Sequence, residues 1–301
     1  MKKKVIFSLC LFFLIVAFYF NWKYEVIAVH PFQGEGQHEL KVMTWNIHCP
    51  KDTDSIRQRK IADLILKEDA DFVLLNEYNQ ASCSLTDSLL RKRYPYQEEA
   101  LSHKKCGNIY YSKLELMHSG RFLIRHLRRF QPALGGVVYP DSLKRKSPSA
   151  IVSTVCIGRD SVLIFGVHFP SNHYDGSTIE KELENDTSSY DRYKEAQEKR
   201  CFQAHWIKEA VLESKHPVIV MGDMNDFNCS APLDTLTSCG LKDSWWEGGN
   251  GYGCTYHNGW LRLRIDHILH SKELKLESVK VIETDLSDHN PVVAGFSIVK
   301  N

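Results

Sequence analysis

From Leu40 onward the chain alternates short apolar runs with amphipathic stretches, the pattern of strands exchanging with helices. The runs predict strands over Lys41–Trp45, Phe72–Leu75, Ile109–Ser112, Ala150–Ile157, Val162–Val167, Val218–Met221, Arg264–Leu269, Lys275–Val281 and Val292–Val299. Several, such as Phe72-Val73-Leu74-Leu75, are apolar at every position, so both faces of those strands must be covered. Ile61, Leu64 and Ile65 recur at helical spacing within Ile56–Lys67, as do Trp206, Ile207 and Val211 within Tyr190–Glu213. Two helices, each with one buried face, follow from that spacing. The polar stretch His173 to Ser189 reads as an exposed loop leading into the second helix. No repeat, low-complexity tract or long Pro/Gly linker interrupts the alternation, so one α/β domain over residues 29–301 is the economical reading.

A different pattern precedes it. Lys2-Lys3-Lys4 is followed by Val5 to Phe20, apolar apart from Ser8 and Cys10. As a helix this run would span about 24 Å at ~1.5 Å per residue, short of a hydrocarbon core of about 30 Å; Asn21 and Trp22 could fill the difference. The run reads as an uncleaved signal-anchor, a cleaved secretory signal or a buried amphipathic segment. Val26-Ile27-Ala28 offers small residues for a signal peptidase, while bulky, charged Trp22, Lys23, Tyr24 and Glu25 just before argue for retention. Both leading readings keep the lysines inside and carry the body across a membrane. Residues 1–28 are therefore set apart, and the expected location is a membrane-anchored extracytoplasmic domain, periplasmic or extracellular, or a secreted one after cleavage.

Composition narrows the class. Of 301 residues 43% are hydrophobic and 25% charged, with formal net charge +1, values of a folded globular body rather than a disordered or multi-span chain. Near-neutrality gives no reason to expect sequence-independent duplex binding, so any polyanion contact must be local. The best local candidate is Arg121 to Lys146, rich in Arg and Lys with only Asp141 opposing, although a solvated charged face has the same composition. Eight of nine cysteines lie beyond the apolar run, spaced as in no zinc motif. Cys156 and Cys201 fall inside predicted elements and read as buried thiols; no pairing is assigned, and nothing points to a protein partner.

Four apolar strands stop at polar side chains: Asn46 ends the first, Glu77 follows the second, His168 ends Val162–Val167, and Asp223 and Asn225 follow Val218-Ile219-Val220-Met221-Gly222. Each alone has the ordinary explanation of a cap or turn residue. Together they fit a crevice at strand ends, where ligands of layered α/β folds bind. Near the carboxyl end, Arg264-Ile265-Asp266-His267-Ile268 and Ser287-Asp288-His289 add an acid and an imidazole pair. Asp288 and His289 can serve one site only if their stretch is irregular, because neighbours on a strand face opposite ways; Pro291 allows that break. Asp266 would then hold the His289 tautomer and favour its charged form, though a surface ion pair would also account for it.

These segments, with Gly107-Asn108-Ile109-Tyr110-Tyr111-Ser112 and Val167-His168-Phe169-Pro170 between them, occur in an order that resembles the endonuclease/exonuclease/phosphatase superfamily, the deoxyribonuclease I-like enzymes. The resemblance covers about residues 40 to 299. It implies an α/β, four-layer sandwich of two packed mixed β-sheets flanked by helices, here preceded by an N-terminal hydrophobic helix. It further implies that Glu77, with Asn46 and Asp288, ligates a divalent metal, while Asp223 and Asn225 face the phosphate with His289 above it. Oxygen donors suit Mg²⁺ or Mn²⁺. Asp223 is expected to activate water, Asn225 to hold it, His289 beside Asp266 to stabilise developing charge, and His168 to bind phosphate or protonate the leaving group. Two positions depart from the common pattern: Asn76 where many relatives carry Gln, and His168 where repair endonucleases carry Tyr.

The substrate stays open at this stage. A nuclease or nucleotide phosphodiesterase outside the cytoplasm leads, a phospholipid or phosphoinositide headgroup hydrolase is the alternative, a small-substrate phosphatase comes third, and an inactive binding module has least to favour it. Trp245 to Tyr256, glycine-rich and aromatic, continuing to Trp260, reads either as a stacking or membrane-dipping loop or as core packing.

Overall fold

The computed structural model describes residues 14–19, 21, 26–30, 38–48, 54–101, 106–122, 150–171 and 187–299. In chain order the first half contains β1 (Ala28–Val29), β2 (Leu40–Asn46), α1 (Ser55–Glu68), β3 (Phe72–Asn79), α2 (Ser84–Leu90), β4 (Tyr96–Leu101), β5 (Cys106–Ser112), β6 (Leu116–Phe122), β7 (Ala150–Ile157) and β8 (Asp160–His168). The second half continues with α3 (Thr187–Glu213), β9 (Val218–Asp223), α4 (Ala231–Thr237), β10 (Lys242–Asp243), α5 (Ser244–Gly248), β11 (Asn250–Gly251), β12 (Tyr256–Asn258), β13 (Leu261–Leu263), β14 (Asp266–His270), β15 (Leu274–Val281) and β16 (Val292–Ile298).

Among the described residues two six-stranded sheets form, in the orders β15-β16-β2-β3-β5-β4 and β10-β14-β9-β8-β7-β6. Each is mixed: β2 with β3 and β8 with β9 run parallel, and the remaining pairs are antiparallel. Alternation along each strand builds the layers. Leu40, Val42, Phe72, Leu74 and Tyr110 of the first sheet meet Ile151, Ile164, Ile219, Met221 and Ile268 of the second in the central core. The intervening residues Met43, Trp45, Val73, Leu75 and Ile109 face outward under Ile61, Ala62 and Ile65 of α1. On the other side Phe165, Val167, Val218, Val220 and Leu269 are covered by Ala204 and Ile207 of α3 and Leu233 and Leu236 of α4. The apolar runs are continuous because both faces of these strands are buried, and the result is the expected helix, sheet, sheet, helix sandwich.

The sequence reading missed β4 and β6, which lie at sheet edges, where a strand has one partner and carries polar residues such as Gln97, Glu98 and Glu99 without cost. The second helix starts at Thr187, so the end of the expected loop is helical, while residues 172–186 lie outside the described ones. So does the basic stretch beyond Phe122 up to Lys146. Six cysteines, Cys83, Cys156, Cys201, Cys229, Cys239 and Cys254, form no disulfide, and Cys156 and Cys201 are partly rather than fully buried.

Much of the apolar Val5 to Phe20 run lies outside the described residues; residues 14–19 are helical, with Leu14, Ile15, Phe18 and Tyr19 exposed. No helix among the described residues is long and apolar enough to cross a membrane. Just downstream, the Asn21 side chain brackets Ile27 with two hydrogen bonds. β1 then pairs with β11, Ala28 opposite Gly251, so the chain joins the folded body at Ala28, which is 1% exposed.

Candidate active site

Strand register assembles the site. In the second sheet His168 is paired with Asp223, and Asp223 with Asp266, so three strand ends set three polar side chains in one row. Parity decides which way they point: Ile164, Ile219, Met221 and Ile268 face the central core, and His168, Asp223 and Asp266 share their faces by even spacing. Asn46 follows Val42 by four residues in β2 and points into the same gap from the opposite sheet. Gly222 makes the junction possible. Its φ is +142°, and a Cβ there would lie 1.9 Å from the Val167 carbonyl oxygen.

Parity alone would turn Glu77 outward, since Leu75 faces α1. Instead the β3 register with β5 shifts between Leu75 and Tyr78, and Glu77 has φ +52°. The irregularity re-aims its carboxylate into the site. Asn225 also has left-handed backbone, at φ +50°, a conformation Asn adopts readily.

Asn46 ties the groups together. Its Nδ2 donates to Glu77 Oε1 at 3.1 Å and to Asp223 Oδ2 at 3.0 Å, and its Oδ1 accepts the His48 N–H at 2.9 Å. Burial pushes the Glu77 carboxyl up, but the nearby His48 ring, the hydrogen bond from Asn46 and the charge of His168 outweigh it and hold the group at about 2. Asp223 is fully buried. Loss of hydration, then the charge of Asp266, push its carboxyl above the ordinary range, against the pull of His289 and His168. His168 Nε2 lies 3.6 Å from Asp223 Oδ2 and 3.8 Å from Glu77 Oε1.

Residues Asp285–Asn290 form the irregular stretch that the sequence required. It leaves Asp288 partly exposed toward His48 and turns His289 inward. His289 Nδ1 donates to Asp266 Oδ2 at 2.8 Å, and its Nε2 stands 3.8 Å from Asp223 Oδ2. Burial lowers its affinity for a proton, but Asp266 and Asp223 prevail and raise it to about 10, so the ring is an imidazolium at neutral pH. Asn225 N–H bonds to Asp223 Oδ1 and its Nδ2 to the Phe169 carbonyl. All eight residues expected from the sequence thus meet at one end of the sandwich.

Two donor groups present themselves to a metal. Asp223, Asp266 and His289 place ligand atoms within 4.8 Å of one another, but the short Asp266–His289 bond holds a proton between Oδ2 and Nδ1, and all three groups are buried. Glu77 and Asp288 are partly exposed, and each directs an oxygen at the same nitrogen, His48 Nδ1, at 3.4 and 3.7 Å. Hard, hydrated oxygen donors fit a divalent ion that retains several waters, so the set at Glu77 and Asp288, with Asn46 beside it, is the better match.

Other residues at the site escaped sequence reasoning. Asn76 joins the sheets: its Nδ2 donates to Asn108 and to the Val167 carbonyl, and its Oδ1 accepts the Asp223 N–H. Arg200, fully buried on α3, pairs with Asp226 at 2.9 Å and donates to the Pro170 carbonyl at 2.8 Å, clamping the segments that carry His168 and Asn225. Its placement among Ala204 and Ile207 on one helical face was a detectable signal, a charge on a buried stripe. Tyr256 packs against His289 in a tilted arrangement, ring centres 4.9 Å apart and planes at 59°. The glycines near Trp245 serve packing: a Cβ at Gly249 or Gly253 would strike its indole, whereas Trp260 is 85% exposed.

The sequence profile of the Endonuclease/Exonuclease/phosphatase family matches residues 43–289, and the chain belongs to that family, whose enzymes are divalent-metal-dependent phosphoester hydrolases. Truncated TDP2 of Caenorhabditis elegans aligns with TM-score 0.62 at 17% identity, covering 85% of this chain and 97% of that one. The endonuclease/exonuclease/phosphatase from Bacteroides vulgatus gives 0.60 at 18% identity over 86% and 99%. D. rerio TDP2 complexed with single strand DNA product gives 0.60 at 15% over 85% and 98%. Identities this low speak for the fold alone. No curated protein sequence matches the chain.

Proposed function

We propose that the chain is a nuclease or nucleotide phosphodiesterase that acts outside the cytoplasm with Mg²⁺ or Mn²⁺ held by Asn46, Glu77 and Asp288. The observation that carries the reading is the buried Asp223 carboxylate, its Oδ2 between His168 and His289 and tied by Asn46 to Glu77. A carboxylate with raised proton affinity is suited to orient water and take its proton. Asn225, fixed by Phe169, holds that water or a phosphoryl oxygen with its remaining amide groups. The His289 imidazolium, oriented by Asp266, stabilises charge developing on the phosphoryl group, and His168 contacts the phosphate or protonates the leaving oxygen. When bound, the divalent ion supplies charge neutralisation at the phosphoryl oxygens.

Nucleic acid is put first by analogy with one neighbour of the same fold, D. rerio TDP2, complexed with single strand DNA product. The alternative, a phospholipid or phosphoinositide headgroup hydrolase, draws on the exposed Leu14, Ile15 and Phe18 of the amino-terminal helix, which suit retention at a membrane. Assays of the full-length chain with Mg²⁺ on single- and double-stranded DNA, RNA, phospholipid vesicles and a small aryl phosphodiester decide between them. Turnover of nucleic acid supports the first reading; turnover of vesicles alone replaces it with the second.

A further inference from the structure

We infer that His48 is a nitrogen ligand of the divalent cation at Glu77 and Asp288, an assignment that rests on the metal reading above. The backbone is the first reason. His48 has φ +36°, on the positive side that few residues other than Gly, Asn, Asp and His adopt. It is held there from both sides: its N–H donates to Asn46 Oδ1 at 2.9 Å, and its carbonyl accepts from Arg57 Nη2 at 3.3 Å. The Arg57 guanidinium also bonds the carbonyls of Ile47 and Leu286, so the turn is fixed by the segment leading to Asp288. Bonds from both sides thus fix where the imidazole stands relative to Glu77 and Asp288.

Direction is the second reason. Nδ1 lies 3.4 Å from Glu77 Oε2 and 3.7 Å from Asp288 Oδ2. Both exceed the ~2.9–3.0 Å of a good N–H···O bond, and an N–H shared between two carboxylates is well aligned with neither. Neighbouring ligands at about 2.1 Å from one ion stand roughly 3.0–3.4 Å apart, from octahedral to tetrahedral arrangement. The spacing is closer to shared ligation than to a directed hydrogen bond, and the ring, 59% exposed, is free to close the difference. An imidazole in an otherwise oxygen donor set favours a first-row transition ion over Mg²⁺.

Mn²⁺ alone is the probe. Bound to the full-length chain, it should give a ¹⁴N coupling in pulsed electron paramagnetic resonance that disappears in His48→Gly, a substitution that suits the positive φ. The same variant should bind Mn²⁺ about tenfold or more weakly by titration, with a smaller loss for Mg²⁺. Bound Mn²⁺ without nitrogen coupling, a coupling that persists in His48→Gly, or unchanged or tighter binding by that variant overturns the assignment. Failure of the underlying metal reading looks different: wild type binds no Mn²⁺, or Glu77→Gln binds it as wild type does.

Discussion

Arg200→Met should destabilise the protein severely, and the reason lies in what remains. The guanidinium is fully buried, with bonds to Asp226 at 2.9 Å, the Pro170 carbonyl at 2.8 Å and Gln197 at 2.6 Å. Methionine restores much of the volume but leaves the Asp226 carboxylate, 6% exposed, without its cation. Removing one partner of a buried pair costs about 3–5 kcal/mol. At ~2–4 °C per kcal/mol for a body of this size, the melting temperature should fall by roughly 6–20 °C. Urea unfolding followed by tryptophan fluorescence should show a lower midpoint at unchanged slope. Arg200→Met/Asp226→Leu should recover part of the loss, not all, because the Phe227 N–H and the Pro170 carbonyl lose partners in the double variant. A single variant within about 1 kcal/mol of wild type, or a double variant less stable than Arg200→Met, would refute the clamp.

Four further outcomes are expected. Chelation with EDTA should abolish turnover and Mg²⁺ restore it, while Glu77→Gln should raise the Mg²⁺ concentration required; activity undiminished in chelator removes the metal role. Asp223→Asn should keep its fold and lose about 10²–10⁴-fold in turnover, His289→Ala should be as severe and Asp266→Asn milder, and Asp266→Asn/His289→Ala should be little worse than His289→Ala, whereas multiplicative losses would separate the pair. The Asp69 carboxyl should titrate at about 2 by NMR, because hydrogen bonds from Arg93, aided by Lys113, outweigh its slight burial; a native value below the ordinary 3.8 stabilises above that pH and is lost as pH falls through about 2, and Arg93→Ala should return it toward 3.8. A reporter fused after Asn301 should be active only outside the cytoplasm, and cytoplasmic activity alone would reverse the proposed location.

The sequence carried the site as far as alternation and strand ends reach. His168, Asp223, Asp266 and Asn46 lie at even spacing from core residues in apolar runs, so their common direction follows from a two-residue period, and only the pairing of strands had to be supplied by the fold. Glu77 shows where that logic stops. Its odd spacing from Leu74 would send it beneath α1, and a register shift with a left-handed residue reverses it; no local pattern announces such a turn, because its stability comes from β5 and from Asn46 across the site. His48 is similar in part: Asn46, two residues before it, caps its N–H, but its carbonyl is held by Arg57 from α1. Asn76 looked like a mild departure from Gln, yet it is the buried amide that joins β3 to the ends of β8 and β9.

These cases share a physical cause. An apolar side chain is placed by burial, a nondirectional force that leaves its period in the sequence. A polar one in the interior is placed by partners that must be met at hydrogen-bond distance, and those partners come from distant segments: Asp226 from the turn after β9 to Arg200 on α3, Asp266 from β14 to His289 beyond β15. The catalytic end of the sandwich is therefore the part least determined by local pattern and most dependent on the complete fold. Weakening Arg200, 26 residues from Asp226 in sequence, should accordingly lower turnover under native conditions as well as stability, because the segments it clamps hold His168 and Asn225. Wild-type turnover in an Arg200→Lys chain that remains folded would show that the site is held without the fork of the guanidinium.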